Sequence, residues 1–357
     1  MRLFLKHRNL VSGLTVLFAI AIPCPAQQNP AAQSSQYAIG ADISFLPQAE
    51  QQGAVFKENG VARPALEILH DHSYNWIRLR IFNSPATLPN NLDYTLAAAK
   101  HAKAMGFKFL LDFHYADDWA DPGHQPTPAA WKNLTHKQLV GAVFAYTRET
   151  IASFRDAGVM PDMVQVGNEV THGMLWPDGK LPDNWDNFAE LLKAGIDGVA
   201  AGSGTQPRPA LMIHIDRGGD IAGTKYFFDK LLSYKIQFDV IGQSYYPWWH
   251  GSLNDLRATL EFTVREYGKD VYIVETAYNW EPGNYLQHPG PFSETPEGQR
   301  DFLDEVNRIV MSAPGGHGKG VFWWEPAVRG DLVQRGFFDN AGNVLPVITV
   351  YDRFARH

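Results

Sequence analysis

Cysteine is all but missing from this chain of 357 residues: the one copy, Cys24, falls within the first 26 positions. Without that segment the chain has no disulfide and no thiolate ligand, so it must hold together by core burial. The uncharged apolar stretch Leu10 to Ile22 is too short for a membrane span, which needs about 20 residues. It follows Arg2, Lys6 and Arg8 and leads to Cys24-Pro25-Ala26, the layout of an export signal cut after Ala26. Pro23 directly before Cys24 argues against lipid attachment there. No Lys/Arg cluster is present, so nucleic acid is not an expected partner. The balance is 31 Lys and Arg against 38 Asp and Glu; removing residues 1–26, with their three cations, leaves 28 against 38, a net charge of −10. No Gly-x-Gly-x-x-Gly follows the first strand-like segment, which takes away the main support for dinucleotide binding. No Gly-x-Ser-x-Gly marks a serine nucleophile. A zinc helix would need His-Glu-x-x-His, and Glu169 with His172 lacks the leading histidine. Asp112-x-His114 has no close second pair of ligands. No metal and no cofactor are expected.

What the chain does have is aromatic residues, 13% of the total with ten Trp, within an ordinary 45% hydrophobic fraction. Such rings build either a large core or a cleft whose faces stack on sugars. Residues 27–36 are rich in Gln, Ala and Ser and read as a disordered spacer. From Tyr37 onward, short apolar runs alternate with helical patterns. The spacing predicts strands over 38–43, 75–81, 107–113, 163–168, 210–215, 238–244, 271–275 and 320–324. It predicts helices near 63–71, 93–105, 136–157, 185–201, 223–234, 253–267, 297–311 and 345–355. Eight βα units point to an α/β protein with one domain over 37–357, a closed (β/α)8 TIM barrel. Two long loops, 114–135 and 276–296, follow the third and seventh strands and so lie on the catalytic face.

Polar residues gather at the predicted strand ends: Asp42 and Ser44, Arg78 and Arg80, Asp112 and His114, Asn168 and Glu169, His214 and Asp216, Ser244-Tyr245-Tyr246, Glu275, and Trp323-Trp324-Glu325. Any one of them alone is better explained as a cap, a turn former or a core residue. Together they would be costly to bury unless they face one another across a polar cleft, at about 1–3 kcal/mol for each unpartnered group. Val166-Gly167-Asn168-Glu169 and Ile273-Val274-Glu275-Thr276 are buried-strand patterns that end on a carboxylate. Two such carboxylates at one barrel mouth suit glycosidic-bond hydrolysis, one as proton donor and one as nucleophile.

In order along 37–330, Gly40-Ala-Asp-Ile-Ser44, Ile77-Arg-Leu-Arg80, Leu111-Asp-Phe-His-Tyr-Ala-Asp-Asp-Trp-Ala-Asp-Pro122, Val166-Gly-Asn-Glu169, Gly173-Met-Leu-Trp-Pro177, Ser244-Tyr-Tyr-Pro247, Val274-Glu-Thr276 and Trp323-Trp-Glu-Pro326 resemble glycoside hydrolase family 53, the arabinogalactan endo-β-1,4-galactanases. The resemblance implies a retaining enzyme with Glu169 as acid/base and Glu275 as nucleophile. It places Arg78 beside the nucleophile and Asn168 at the sugar 2-hydroxyl. Tyr245 is placed at the strand-six tyrosine and Trp324 at the strand-eight tryptophan. Asp112, His114, Asp117 and Trp119 match the motif after strand three, and Asp42, His214 and Trp249 complete the expected substrate contacts. Some bacterial members bind calcium in the loop after strand seven. Here residues 279–296 contain no Asp, so no such site is expected, and the prolines of that loop would supply stiffness instead.

The implied partner is a β-1,4-galactan polysaccharide, met by a secreted or periplasmic monomer with no membrane attachment once the signal is removed. Another retaining barrel glycanase, a mannanase or xylanase, shares the carboxylate logic, and a non-catalytic carbohydrate-binding barrel is the more distant alternative. Nothing in the residues explains a choice of galactose.

Overall fold

The computed structural model describes residues 37–283 and 288–353; the expected export signal and spacer lie outside them. Eight strands form the barrel: β1 (Ala38–Asp42), β2 (Trp76–Ile81), β3 (Lys108–Phe113), β4 (Met163–Val166), β5 (Ala210–Ile215), β6 (Val240–Ser244), β7 (Asp270–Thr276) and β8 (Gly318–Trp324). Each pairs in parallel with the next, and β8 pairs back to β1, which closes the sheet. Helices α1 (Ala65–Asp71), α2 (Leu92–Ala104), α3 (His136–Asp156), α4 (Trp185–Ser203), α5 (Ile221–Ser233), α6 (Leu253–Tyr267) and α7 (Pro296–Met311) follow the first seven of the predicted helical patterns. Local chemistry sets their starts. Ser252 and Asp255 cap α6 reciprocally, and Thr295 caps α7 ahead of Pro296 at its first position.

The helix predicted over 345–355 is instead a 3-10 segment, Pro346–Tyr351. Val347, Ile348, Thr349 and Val350 are β-branched and propagate an α-helix poorly. The segment is fixed by tertiary packing, with Tyr351 bonded to Asn307 of α7 at 2.8 Å. A short helix not foreseen in the sequence, Leu46–Gln51, follows β1. Among the described residues no helix is long and apolar enough to cross a membrane.

Alternation along the strands divides the core in two. Outward residues such as Ile77, Leu79, Phe109, Leu111, Val164, Ile213 and Ile273 pack in the cluster shared with the helices. Inward residues Ala38, Trp76, Leu110, Met163, Met212, Val240, Tyr272, Val274 and Phe322 form a separate plug. The plug is tight: a Cβ added at Gly40 would lie 2.2 Å from the Phe322 ring, so only glycine fits there. Two residues further along their strands the same inward parity delivers Arg78, Asp112, Gln165, His214 and Trp324, and four residues beyond Val240 it delivers Ser244. The lumen thus passes from apolar at the bottom to polar at the mouth, as period-2 geometry requires.

Strand β7 breaks that parity. Val274 belongs to the inner plug, so simple alternation would turn Glu275 out toward the helices. The register between β6 and β7 shifts at Gln243/Ser244, and that between β7 and β8 shifts between Ile273 and Thr276. Such irregularities re-aim a side chain at a barrel rim, and here Glu275 faces the mouth.

Candidate active site

Arg78, fully buried on β2, is the hub of the mouth. Its Nη1 donates to Asp42 Oδ2 at 2.8 Å and to Glu275 Oε2 at 2.9 Å. Its Nη2 donates to Asp112 Oδ2 and Asn168 Oδ1, both at 2.9 Å. Burial works against its charge, but Asp112, Glu275 and Asp42 outweigh that and raise its pKa further. Arg80, two residues on, bonds Asp42 Oδ1 at 3.0 Å and Glu325 Oε1 at 2.7 Å, and its guanidinium lies 4.6 Å from the Trp119 ring centroid. Two cations therefore face the carboxyls of Asp42, Asp112, Glu275 and Glu325. Burial, opposed by Arg80 and assisted by Asp42, pushes Glu325 up to about 8, so it can hold a proton that eases the excess of negative charge.

Glu275 is held by two donors, Arg78 and the phenol of Tyr246, which reaches Oε1 at 2.9 Å. Glu169 follows β4 in a left-handed conformation, with φ +46°. Gly167 just before it has φ +83°, and a Cβ there would lie 2.5 Å from Val170, so this turn needs glycine. Burial first, then the charges of Glu275 and Asp216, raise the pKa of Glu169 well above the ordinary carboxylate value. Asp216 is also raised, by burial, and accepts from Thr171. His214 is kept neutral by burial and by Arg78 nearby, and bridges Asn168 Oδ1 at 3.1 Å and Ser244 Oγ at 2.8 Å.

One cleft of ≈ 350 Å³ at the barrel mouth brings these groups together. Of the sequence-predicted residues, Arg78, His114, Trp119, Asn168, Glu169, Trp249, Glu275 and Trp324 line it. Asn168 spends one amide hydrogen on Ala120 O at 2.8 Å and has a second available. His114 uses both ring nitrogens internally, on Asp112 at 3.1 Å and Ala120 N at 3.0 Å, so it braces the loop that carries Trp119.

The remaining predicted contacts stand behind the wall. Asp42, Asp112 and His214 are fully buried and serve the network around Arg78 and Asn168. Asp117 uses both oxygens to tie its loop to itself and to the segment after β2, accepting from Ala129 N at 2.7 Å and Ser84 N at 3.0 Å. Tyr245 is displaced from its expected place. Its ring stacks on Phe302, and its hydroxyl donates to Gly251 O at 3.0 Å. Continuing the inward parity of Val240, Gly242 and Ser244 gives position 246, and Tyr246 is the residue on Glu275.

Arg80, Asp121, Pro122, Asp216, Tyr246, His250 and Arg335 also line the cleft but are not among the predicted contacts. Strand parity would have singled out Arg80 and Tyr246. No local signal marks His250 or Arg335, which reach the mouth from segments after β6 and β8. The long loop 114–135 does supply wall residues. The described part of 276–296 supplies none; it is pinned by Glu294, which accepts from Gly283 N at 2.7 Å.

An eight-stranded parallel barrel with two carboxylates, an arginine hub and tryptophan rings in one open cleft has the features of a sugar-cleaving enzyme. The profile of glycosyl hydrolase family 53 matches residues 38–351, and the chain belongs to that family. It is 42% identical to an uncharacterized protein of Niallia circulans over 310 residues, 82% of this chain and 84% of that one. It is 39% identical to a probable arabinogalactan endo-β-1,4-galactanase A of Neosartorya fischeri over 302 residues, 81% of this chain and 83% of that one. Among solved structures, a fungal β-1,4-galactanase superposes with a TM-score of 0.83 at 33% identity, covering 88% of this chain and 99% of the other.

Proposed function

We propose that this chain hydrolyses internal β-1,4-galactosidic bonds of galactan with retention of anomeric configuration, Glu169 serving as acid/base and Glu275 as nucleophile. The observation that carries the reading is the contrast between Glu169 and Glu275 within one cleft. Glu275 is held as an acceptor by Arg78 and Tyr246, while Glu169 is made to keep its proton. Glu275 attacks the anomeric carbon as Glu169 protonates the departing glycosidic oxygen. The sugar is then esterified to Glu275, and the loss of that charge lets Glu169 take a proton from water, whose oxygen releases the sugar. The free amide hydrogen of Asn168 is placed to strengthen its bond to the 2-hydroxyl as positive charge builds on the ring. Trp119, Trp249 and Trp324 give an open groove with faces for successive sugars. Kinship to proteins named as endo-β-1,4-galactanases supports galactan over mannan and xylan.

The test is hydrolysis of β-1,4-galactan, mannan and xylan, with the anomer of the first-formed product followed by proton NMR. The expected result is β-product from galactan, and none from galactan after Glu275→Ala with the fold and polysaccharide binding kept. Initial α-product, or wild-type rates in Glu275→Ala, would refute the scheme. The N-terminus fits export, and the mature protein is expected to begin at Gln27, as N-terminal sequencing of secreted material would show.

A further inference from the structure

His250 closes the short helix Pro247–His250 after β6 and lines the cleft beside Trp249. Its Nδ1 accepts the backbone N–H of Tyr246 at 3.0 Å. A nitrogen that accepts carries no hydrogen, so the neutral ring must carry its hydrogen on Nε2. Burial, with the charge of Arg217 nearby, pushes the pKa of His250 down to about 4, and the ring is neutral at ordinary pH. No group among the described residues takes the Nε2 hydrogen, and Nε2 is not among the buried polar atoms that lack a partner. It is therefore a fixed single donor open to the cleft.

Which sugar it meets follows from strand order. Glu169 ends β4 and Glu275 ends β7. On one side, through β8, β1, β2 and β3, stand Arg78, Trp119 and Trp324, and Asn168 turns toward Ala120 there; these groups hold the sugar under attack. On the other side, over β5 and β6, stand Asp216, His250 and Trp249, next to the carboxyl that protonates the departing oxygen. Trp249 on that side is 43% exposed, with the Arg335 guanidinium 5.6 Å from its ring centroid.

We propose that His250 donates its Nε2 hydrogen to a hydroxyl of the leaving sugar as that sugar stacks on Trp249. This rests on the glycosidase reading above and assigns a binding residue to its leaving-group side. The same ring anchors the backbone of Tyr246, so the two roles must be separated. Asparagine puts an oxygen near the place of Nδ1 and removes the far donor, whereas glutamine keeps a donor near Nε2 and gives up the anchor.

The experiment compares kcat/KM for galactotetraose and for β-galactobiosyl fluoride, whose leaving group has neither ring nor hydroxyl. His250→Asn should lose about tenfold more on the tetrasaccharide than on the fluoride, the size of one neutral hydrogen bond. His250→Gln should show a smaller difference between the two substrates. Equal losses on both substrates in His250→Asn, or a larger difference in His250→Gln, would overturn the proposal. Wild-type enzyme inert on both would instead remove the glycosidase reading, and this inference with it.

Discussion

At the scale of single residues, the cleft holds two like groups in unlike surroundings. Glu169 and Glu275 are both glutamates near strand ends, and only their neighbours distinguish them. Asp216 contributes negative charge beside Glu169 and helps keep it protonated. Asp216→Asn should therefore lower the pKa of Glu169 and move the alkaline limb of the pH–kcat/KM profile to lower pH. A limb that stays in place would mean that burial and Glu275 suffice. Tyr246 and Tyr245 are adjacent in sequence, yet only Tyr246 touches Glu275. Tyr246→Phe removes a hydrogen bond to a carboxylate, worth roughly 1.5–3 kcal/mol, and should cut kcat/KM by about 10- to 100-fold. Tyr245→Phe should leave kcat/KM near wild type and cost about 1 kcal/mol of stability through the lost bond to Gly251. Steady-state kinetics and denaturant titration of both variants check the pair.

At the scale of elements, strand parity decides what the cleft receives. The sequence shows that Arg78 and Arg80 share a face, because they are two apart on one strand. It shows equally that Tyr246 continues the inward set of β6, a signal outweighed by the motif resemblance that pointed to Tyr245. Glu275 is the opposite case, since alternation would turn it away from the mouth and the register shift brings it in. That shift arises from pairing with β6 and β8, and no pattern within β7 announces it. The inner plug beneath the mouth allows a direct test of packing. Gly40→Ala would set a methyl 2.2 Å from Phe322. Overpacking of this kind costs about 1–3 kcal/mol, so a fall in Tm of roughly 2–6 °C is expected by calorimetry. An unchanged Tm would mean that the Phe322 ring can move aside freely.

At the scale of the whole molecule, histidines clamp segments that are distant in sequence. His72, just past the end of α1, contacts Asp352 at 2.6 Å and Glu58 at 2.8 Å, joining the hairpin near residue 60 to the segment after Tyr351. His136 at the start of α3 contacts Asp178 at 2.7 Å and Glu190 at 3.2 Å. Burial opposes the charge on both rings, but the paired carboxylates prevail and raise both pKa values. For a raised histidine the stabilisation is fully present below the unfolded pKa of about 6.5 and is lost as pH rises through the folded value. Glu325 acts in the same direction. Folded, it keeps a proton up to about 8, whereas unfolded it releases that proton near 4.5, so stability falls with rising pH across that interval. Thermal unfolding between pH 5 and pH 9 should show Tm declining on the alkaline side. His72→Gln should flatten part of that decline, and a slope identical to wild type would show that the clamp does not contribute.

Composition and order along the chain determined much by themselves. Eight alternating units dictate a closed barrel, because parallel strands need helical crossovers and one sheet buried on both faces. Glu169 and Glu275 stood out as candidates because each closes a buried-strand pattern on a carboxyl, and both line the cleft. Only the tertiary structure decided which polar residues touch the cleft and which stand behind it. Asp42, Asp112 and His214 sit at strand ends like the rest, but Arg78 gathers the two aspartates inward and His214 is taken up by Asn168 and Ser244, and those contacts depend on distances across the barrel. Nor does the local sequence show the tautomer of His250 or the proton on Glu325. Both follow from neighbours brought together from remote parts of the chain, where burial makes each missing partner costly.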